Sequence, residues 1–489
     1  MDAPARSSST ELIQWIGLAG GVIASFAAYW ATGLVESELM TPSARVVASV
    51  GVVMALWWMT EAIPLAATSL LPVILFPLLG VMTLKETTAP YANPLLFLFG
   101  GGFLLALAME RWGLHRRIAL RTVMVVGTSP RAMVGGCMVA TGIMSMWVSN
   151  TATAVMMLPI ATSLIALRQS EGEASDRFAI CLLIGIGYAA SIGGLGTIIG
   201  TPPNAFLVSY LKESMDIDVS FARWMIVGVP IVALYLAIGW FVLTRWIEPV
   251  GSERSGLGRQ MLRERLRSLG PTTRPEWMVM VVFACTVLGW LFRGVIERLL
   301  WGEASTGFLS DAGIVMIAAL ALFALPSGDG RRVMDWETAE RLPWGVLILF
   351  GGGMSLGAGI QASGLDLWLG SVVEGMGGVP VWVVMAVAVA IVILLSEVAS
   401  NTAAAITLVP VMGAMATSFG IEPVVMVTMT ALAASVGYMM PVATPPNAIV
   451  FSSGLIPIRR MMRAGIVFNI VGGILVVMAS LWLVPRVLG

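Results

Sequence analysis

Residues 149–164 read SNTATAVMMLPIATSL, and residues 400–415 read SNTAAAITLVPVMGAM. Both stretches lie inside long apolar runs, and in both a proline follows ten residues after the serine. Ser, Asn and Thr bring hydroxyl and amide groups that must find partners where water is scarce. A triplet that recurs with its proline at the same spacing calls for one explanation covering both copies.

Working outward, each triplet splits an apolar run of 37 residues, 131–167 and 381–417. Further runs approach the roughly 20 residues that a membrane-crossing helix needs. They are 12–34, 45–64, 65–82, 92–110, 178–210, 224–245, 276–293, 311–326, 343–362, 424–455 and 464–485, about eleven crossings. Composition agrees, with 58% hydrophobic residues, 11% charged and a mean hydropathy of +0.90, where soluble domains carry roughly 25% charged residues. The chain reads as an all-α polytopic membrane protein lodged in a lipid bilayer. The run 12–34 is longer than a signal-peptide core and reads as a retained first helix.

The same composition excludes other classes. Lys plus Arg equal Asp plus Glu at 28 each, with no long basic run, which argues against nucleic-acid binding. Cys137, Cys181 and Cys285 are odd in number and lack ligand spacing, so neither a disulfide framework nor a zinc site is implied. The single histidine, His115, sits in RWGLHRRIALR and reads as interfacial. No Ser/His pair, paired aspartates or HExxH stands in the chain, so no enzyme and no cofactor is expected.

A triplet run is either one long broken helix or a re-entrant hairpin, and charge decides between them. If each run enters and leaves by one face, Arg111, Arg116, Arg117, Arg121, Arg168, Arg177, the arginines between 254 and 274, Arg331, Arg332, Arg341, Arg459, Arg460 and Arg463 share one side. That side is cytoplasmic by the positive-inside rule. The hairpin reading therefore wins, with the N-terminus cytoplasmic and the C-terminus extracytoplasmic.

A repeat follows from the same layout. LFGGGFLLALAMERWGL at 98–114 matches LFGGGMSLGAGIQASGL at 349–365, and the offset of 251 also relates the triplets, Pro159 to Pro410 and Ser145 to Ser396. One copy runs against the other across the membrane, the inverted-topology repeat of many secondary transporters. The expected organisation is 1–82 as N-terminal scaffold helices and 83–250 as a first repeat, with hairpin 131–167 and broken helix 178–210. A cytoplasmic linker, 251–275, joins it to a second repeat, 276–489, with hairpin 381–417 and broken helix 424–455.

The helix breaks rest on a second duplicated string. GTIIGTPPNAFLVS at 196–209 and MMPVATPPNAIVFS at 439–452 share TPPNA. Consecutive prolines each remove a helical hydrogen bond and clash with the preceding turn, at about 3 kcal/mol or more. Broken backbone at membrane depth persists only where protein buries it or a cavity wets it. Thr201 and Thr444 are positioned to cap the half-helices that follow, with Pro202 and Pro445 at their first positions. Freed carbonyls near Gly200 and Ala443 suit a cation, and the amides opening the half-helices suit an anion.

Each device has a bland reading: a lone Ser-Asn-Thr bonds a neighbouring helix, a lone Pro-Pro kinks one, and LFGGGF packs closely. All three, duplicated in the same order, point to one central site. Glu61 and Glu397 are intramembrane acids that serve either that site or a neighbouring helix.

With WWMTEAIP at 57–64 ahead of them, these motifs resemble the divalent anion/sodium symporter family of citrate and dicarboxylate carriers over nearly the whole chain. The resemblance implies a homodimer whose protomers each move a transport part against a scaffold like an elevator. It implies substrate contacts at Asn150, Thr151, Thr201, Pro202, Ser400, Asn401, Thr402, Thr444 and Pro445. It implies one sodium at Ser145, Ser149, Asn150 and the Gly200 backbone, and another at Ser396, Asn401 and the backbone of Ala399 and Ala443. An aromatic residue often stands in the family where this chain has Val398.

The expected activity is sodium-coupled uptake of C4-dicarboxylates such as succinate, malate or fumarate across an inner membrane. Dicarboxylate exchange, or transport of citrate or sulfate, is the alternative. Sodium is expected because no Lys or Arg lies in 145–159, 196–209, 396–410 or 439–452. Half-helix ends offer about half a charge each, too little for a buried dianion whose desolvation costs several kcal/mol per charge.

Overall fold

The computed structural model describes residues 8–35, 37–126, 129–170, 176–251, 257–302, 309–328, 330–374 and 380–489. Among them the regular structure is helical apart from one isolated bridge between Pro326 and Arg332. Among the described residues, nine helices are long and apolar enough to cross a membrane: Leu12–Gly33, Pro42–Thr60, Leu84–Arg111, Asp176–Gly194, Phe221–Ile247, Arg274–Leu291, Trp344–Ser363, Val381–Val398 and Ile458–Trp482.

The run 65–82 departs from the crossing expected of it. It forms two short helices, Leu65–Thr68 and Leu71–Leu78, with Pro72 and Pro77 in the second. Even the joined stretch Leu65–Leu78 falls short of the apolar core of about 30 Å. It packs instead on Trp344–Ser363, where Ser69 meets the glycine run: a Cβ on Gly352 would lie within 2.5 Å of Ser69 Cβ. The linker also differs from a plain solvated loop, because Leu257–Ser268 is a helix that packs on Leu114–Val126.

Each Ser-Asn-Thr run folds as two helices. Pro130–Ser145 and Asn150–Ser170 pack on each other, as do Val381–Val398 and Asn401–Met415. Ser129 caps the first of these helices through the Ala132 amide. Asp176–Gly194 and Pro202–Met215 flank one break, and Pro423–Ala434 and Pro445–Phe451 flank the other. The first of these, DRFAICLLIGIGYAASIGG, is apolar on every side and 94% of its span is buried, so it forms the centre of the fold.

Element by element, the two halves correspond. Pro94–Arg111 pairs with Trp344–Ser363, Leu114–Val126 with Leu365–Glu374, and each hairpin helix and half-helix with its counterpart, ending with Phe221–Val242 and Ile458–Trp482. Glycines in the repeated LFGGG run permit close approach in both. A Cβ on Gly102 would lie 3.0 Å from Ile199, and one on Gly353 would meet Ile406 and Phe206.

Candidate functional site

The two breaks are held open by the asparagines of TPPNA. Asn204, fully buried, donates through Nδ2 to Gly194 O (3.1 Å), Leu195 O (3.3 Å) and Thr197 O (2.8 Å). Asn447, also fully buried, donates to Gly437 O (3.5 Å) and Met440 O (3.2 Å). One amide thus gathers carbonyls that the lost helical turn leaves unpaired. Thr444 caps its half-helix by accepting from the Asn447 amide at 3.4 Å. Thr201, with the same extended backbone as Thr444, makes no side-chain cap bond, so the capping expected of it is met in the second repeat alone.

At the first hairpin tip, oxygens converge on Asn150. Ser145 Oγ lies 2.6 Å from Asn150 Oδ1 and 2.6 Å from Ala190 O. The Ser145 hydroxyl has one hydrogen to give to these two, and Asn150 Oδ1 otherwise faces the carbonyl oxygens of Ala190 and Gly200. Turning the amide lets Nδ2 donate to Ser145 Oγ (2.6 Å), Ala190 O (3.2 Å) and Gly200 O (3.2 Å). Left unturned, the same group of hard oxygens suits a small monovalent cation. Gly194 makes room for it, since a Cβ there would stand 2.8 Å from Asn150 Oδ1 and 3.1 Å from Gly200 O.

The second tip repeats this with different partners. Ser396, fully buried, donates to Ile393 O (2.9 Å) and lies 3.4 Å from Val436 O. Asn401 Oδ1 is buried without a hydrogen-bond partner among the described residues. A Cβ on Gly437 would be 3.2 Å from Ser396 Oγ and 3.7 Å from Ala443 Cβ, so this glycine takes the part of Gly194.

Of the two intramembrane acids, Glu397 serves the second break. Its carboxylate accepts from the backbone amides of Tyr438 (2.7 Å), Met439 (2.9 and 3.1 Å) and Met440 (3.0 Å), and from Asn469 Nδ2 (2.6 Å). The first repeat has Met146 at that place, whose carbonyl accepts from Thr197 Oγ1 at 2.5 Å. Glu61 instead ends helix Pro42–Thr60 in the left-handed conformation, with φ of 48°.

Both tips and both breaks meet at one cavity of about 1040 Å³. Asn150, Thr151, Thr201, Pro202, Ser400, Asn401, Thr402, Thr444 and Pro445 all line it, as do Ser149, Gly200, Ala399 and Ala443. Ser145 and Ser396 lie behind the wall, fully buried. Val398 lines the cavity too. Its charged lining is Glu61, Glu110 and Arg341, from outside the duplicated motifs.

Residues 21–488 match the family described as the sodium:sulfate symporter transmembrane region. The chain belongs to that family. The sodium-dependent dicarboxylate transporter SdcS of Staphylococcus saprophyticus is 41% identical over 444 residues, covering 89% of this chain and 85% of that protein. SdcS of Staphylococcus aureus strain USA300 is 40% identical over the same shares. Among solved structures, the fold is similar to the Alcanivorax borkumensis YdaH transporter, with a TM-score of 0.58 at 16% identity over 89% of this chain and 99% of that one. As a member of the symporter family with nine candidate spans, the chain is a multi-pass membrane protein.

In this symporter fold a second cavity, about 1310 Å³, adjoins the first. Leu107, Glu110, Ser149, Thr151 and Arg341 line both and form the boundary between them. His115 lies in its wall, buried, with Nδ1 3.0 Å from Met109 O; burial lowers its pKa. Sequence reasoning missed Arg341, whose signal was available only as one more arginine before Pro343. It also missed Ala190, Asn204, Asn447 and the two glycines, although the identical TPPNA strings already singled out the asparagines.

Proposed function

We propose that the chain is a sodium-coupled symporter of C4-dicarboxylates such as succinate, malate and fumarate, and that it transports its substrate without catalysis. One observation carries the reading: nine Asn, Thr, Ser and Pro residues from two hairpin tips and two breaks line a single cavity. Its hydroxyls and amides suit carboxylate oxygens. The staphylococcal relatives named as sodium-dependent dicarboxylate transporters support the substrate class.

Charge supports the coupling ion. The cavity carries Glu61 and Glu110 against Arg341, so a dianion entering it meets more negative than positive side-chain charge. Sodium held among Ser145, Ser149, Asn150 and Gly200 O, and among Ser396, Ala399, Asn401 and Ala443, offsets that excess. Elevator-type motion, a homodimer, and an inner-membrane orientation with the N-terminus cytoplasmic and the C-terminus extracytoplasmic belong to the same reading. The arginines of the adjoining cavity favour that orientation.

Counterflow of labelled succinate in proteoliposomes tests it. Uptake is expected to require an inward sodium gradient that potassium cannot replace, and four-carbon dicarboxylates should compete better than sulfate, citrate or monocarboxylates. Full-rate exchange without sodium would favour the exchanger, and a reversed competition order would replace the substrate class.

A further inference from the structure

The cavity beside the central one is lined by five arginines, Arg111, Arg116, Arg265, Arg331 and Arg341, against Glu110, Asp335 and Glu337. Arg111 is committed to structure: it pairs with Asp335 at 2.5 Å and donates to Thr338 Oγ1 at 2.9 Å. Arg265, from the linker helix, donates to Ser163 Oγ at 3.0 Å. The side chains of Arg116 and Arg341 make no hydrogen bond or ion pair among the described residues, and Arg341 lines both cavities.

The repeat sharpens the point. At the offset of 251, Arg111 corresponds to Ala362, Arg116 to Leu367, Arg331 to Gly80 and Arg341 to Pro90. A carrier built from two matching halves would present two equivalent openings. Here one opening carries arginines and the equivalent positions of the other carry none. Solvated arginines that merely orient the chain in the membrane explain a charged face, but they do not require an unpartnered arginine on the boundary with the binding cavity.

We propose that this vestibule is a second, transient binding site for the dicarboxylate, with Arg341 receiving a carboxylate as the substrate passes between Thr151 and the vestibule. The inference rests on the dicarboxylate reading above. A positively lined cleft with low-dielectric walls concentrates anions and speeds their capture, so the arginine-bearing face takes up substrate at lower concentration than its bare counterpart would. Guanidinium suits the task because its planar fork matches a carboxylate.

Succinate counterflow in right-side-out and inverted membrane vesicles tests this. Arg341→Gln should raise the half-saturating succinate concentration about 10-fold on the arginine-bearing face and leave the other face unchanged. Arg341→Lys, which keeps the charge and loses the fork, should restore part of the loss, and Arg459→Gln, an exposed arginine outside both cavities, should have no effect. An equal rise on both faces would assign Arg341 to the central site, and no change on either would leave the arginines as solvated surface charge; both overturn the proposal while the transport reading stands. Wild-type protein that carries no succinate on a sodium gradient overturns the transport reading and this one with it.

Discussion

Asn150 and Asn401 hold equivalent places in the repeats, yet their amides are held differently. Asn150 is enclosed by Ser145, Ala190 and Gly200, whereas Asn401 Oδ1 has no hydrogen-bond partner among the described residues. Each contributes donor and acceptor to one cavity, so neither half can serve alone. Asn150→Ala and Asn401→Ala should each abolish sodium-driven succinate uptake while the gel-filtration profile stays that of the wild type; normal transport by either variant would refute the shared site. Gly194 is a more selective probe. Its Cβ would intrude to 2.8 Å from Asn150 Oδ1, and overpacking of this kind costs typically about 1–3 kcal/mol. Gly194→Ala should raise the sodium concentration for half-maximal uptake roughly 5-fold or more, and an unchanged sodium dependence would remove Asn150 from the cation site.

At the scale of elements, the broken helices are stable because each lost turn is re-satisfied from the side. Asn204 does this in the first repeat; in the second, Asn447 shares the work with Glu397, which takes five hydrogen bonds from three backbone amides and Asn469. Hydrogen bonds to a charged group contribute about 1.5–3 kcal/mol. Glu397→Gln turns an amide donor toward donors, and should lower the melting temperature in detergent by several degrees while reducing uptake. An unaltered melting curve would mean that the loop at Tyr438–Met440 is held by other contacts.

At the scale of the molecule, the transport part must slide past the scaffold if the carrier works as an elevator. Helix Pro94–Arg111 lies outside the hairpins and breaks, and touches a break where Gly102 faces Ile199: a Cβ on Gly102 would be 3.4 Å from Ile199 Cβ. Disulfides span Cβ separations of about 3.5–4.5 Å. In a Cys285→Ser background, Gly102→Cys with Ile199→Cys should cross-link on oxidation, stop succinate uptake and recover on reduction. Full transport by the cross-linked protein would exclude relative motion at this boundary.

What the sequence determined by itself was the membrane class, the repeat, the hairpins and the site motifs. Each of these is written in local chemistry: apolar length, paired prolines, and Ser-Asn-Thr at a constant offset from its copy. Even the failed crossing at 65–82 carried its warning in Pro72 and Pro77. Tertiary structure decided which groups face one another across the cavity. Arg341 and Glu397 stand at positions that the repeat does not duplicate, and Ala190 and the carboxylate of Glu397 meet Ser145 and Tyr438–Met440 from far away in the chain. No spacing rule reaches them, because their partners are set by helix packing, whereas the motif residues are set by the backbone breaks they create.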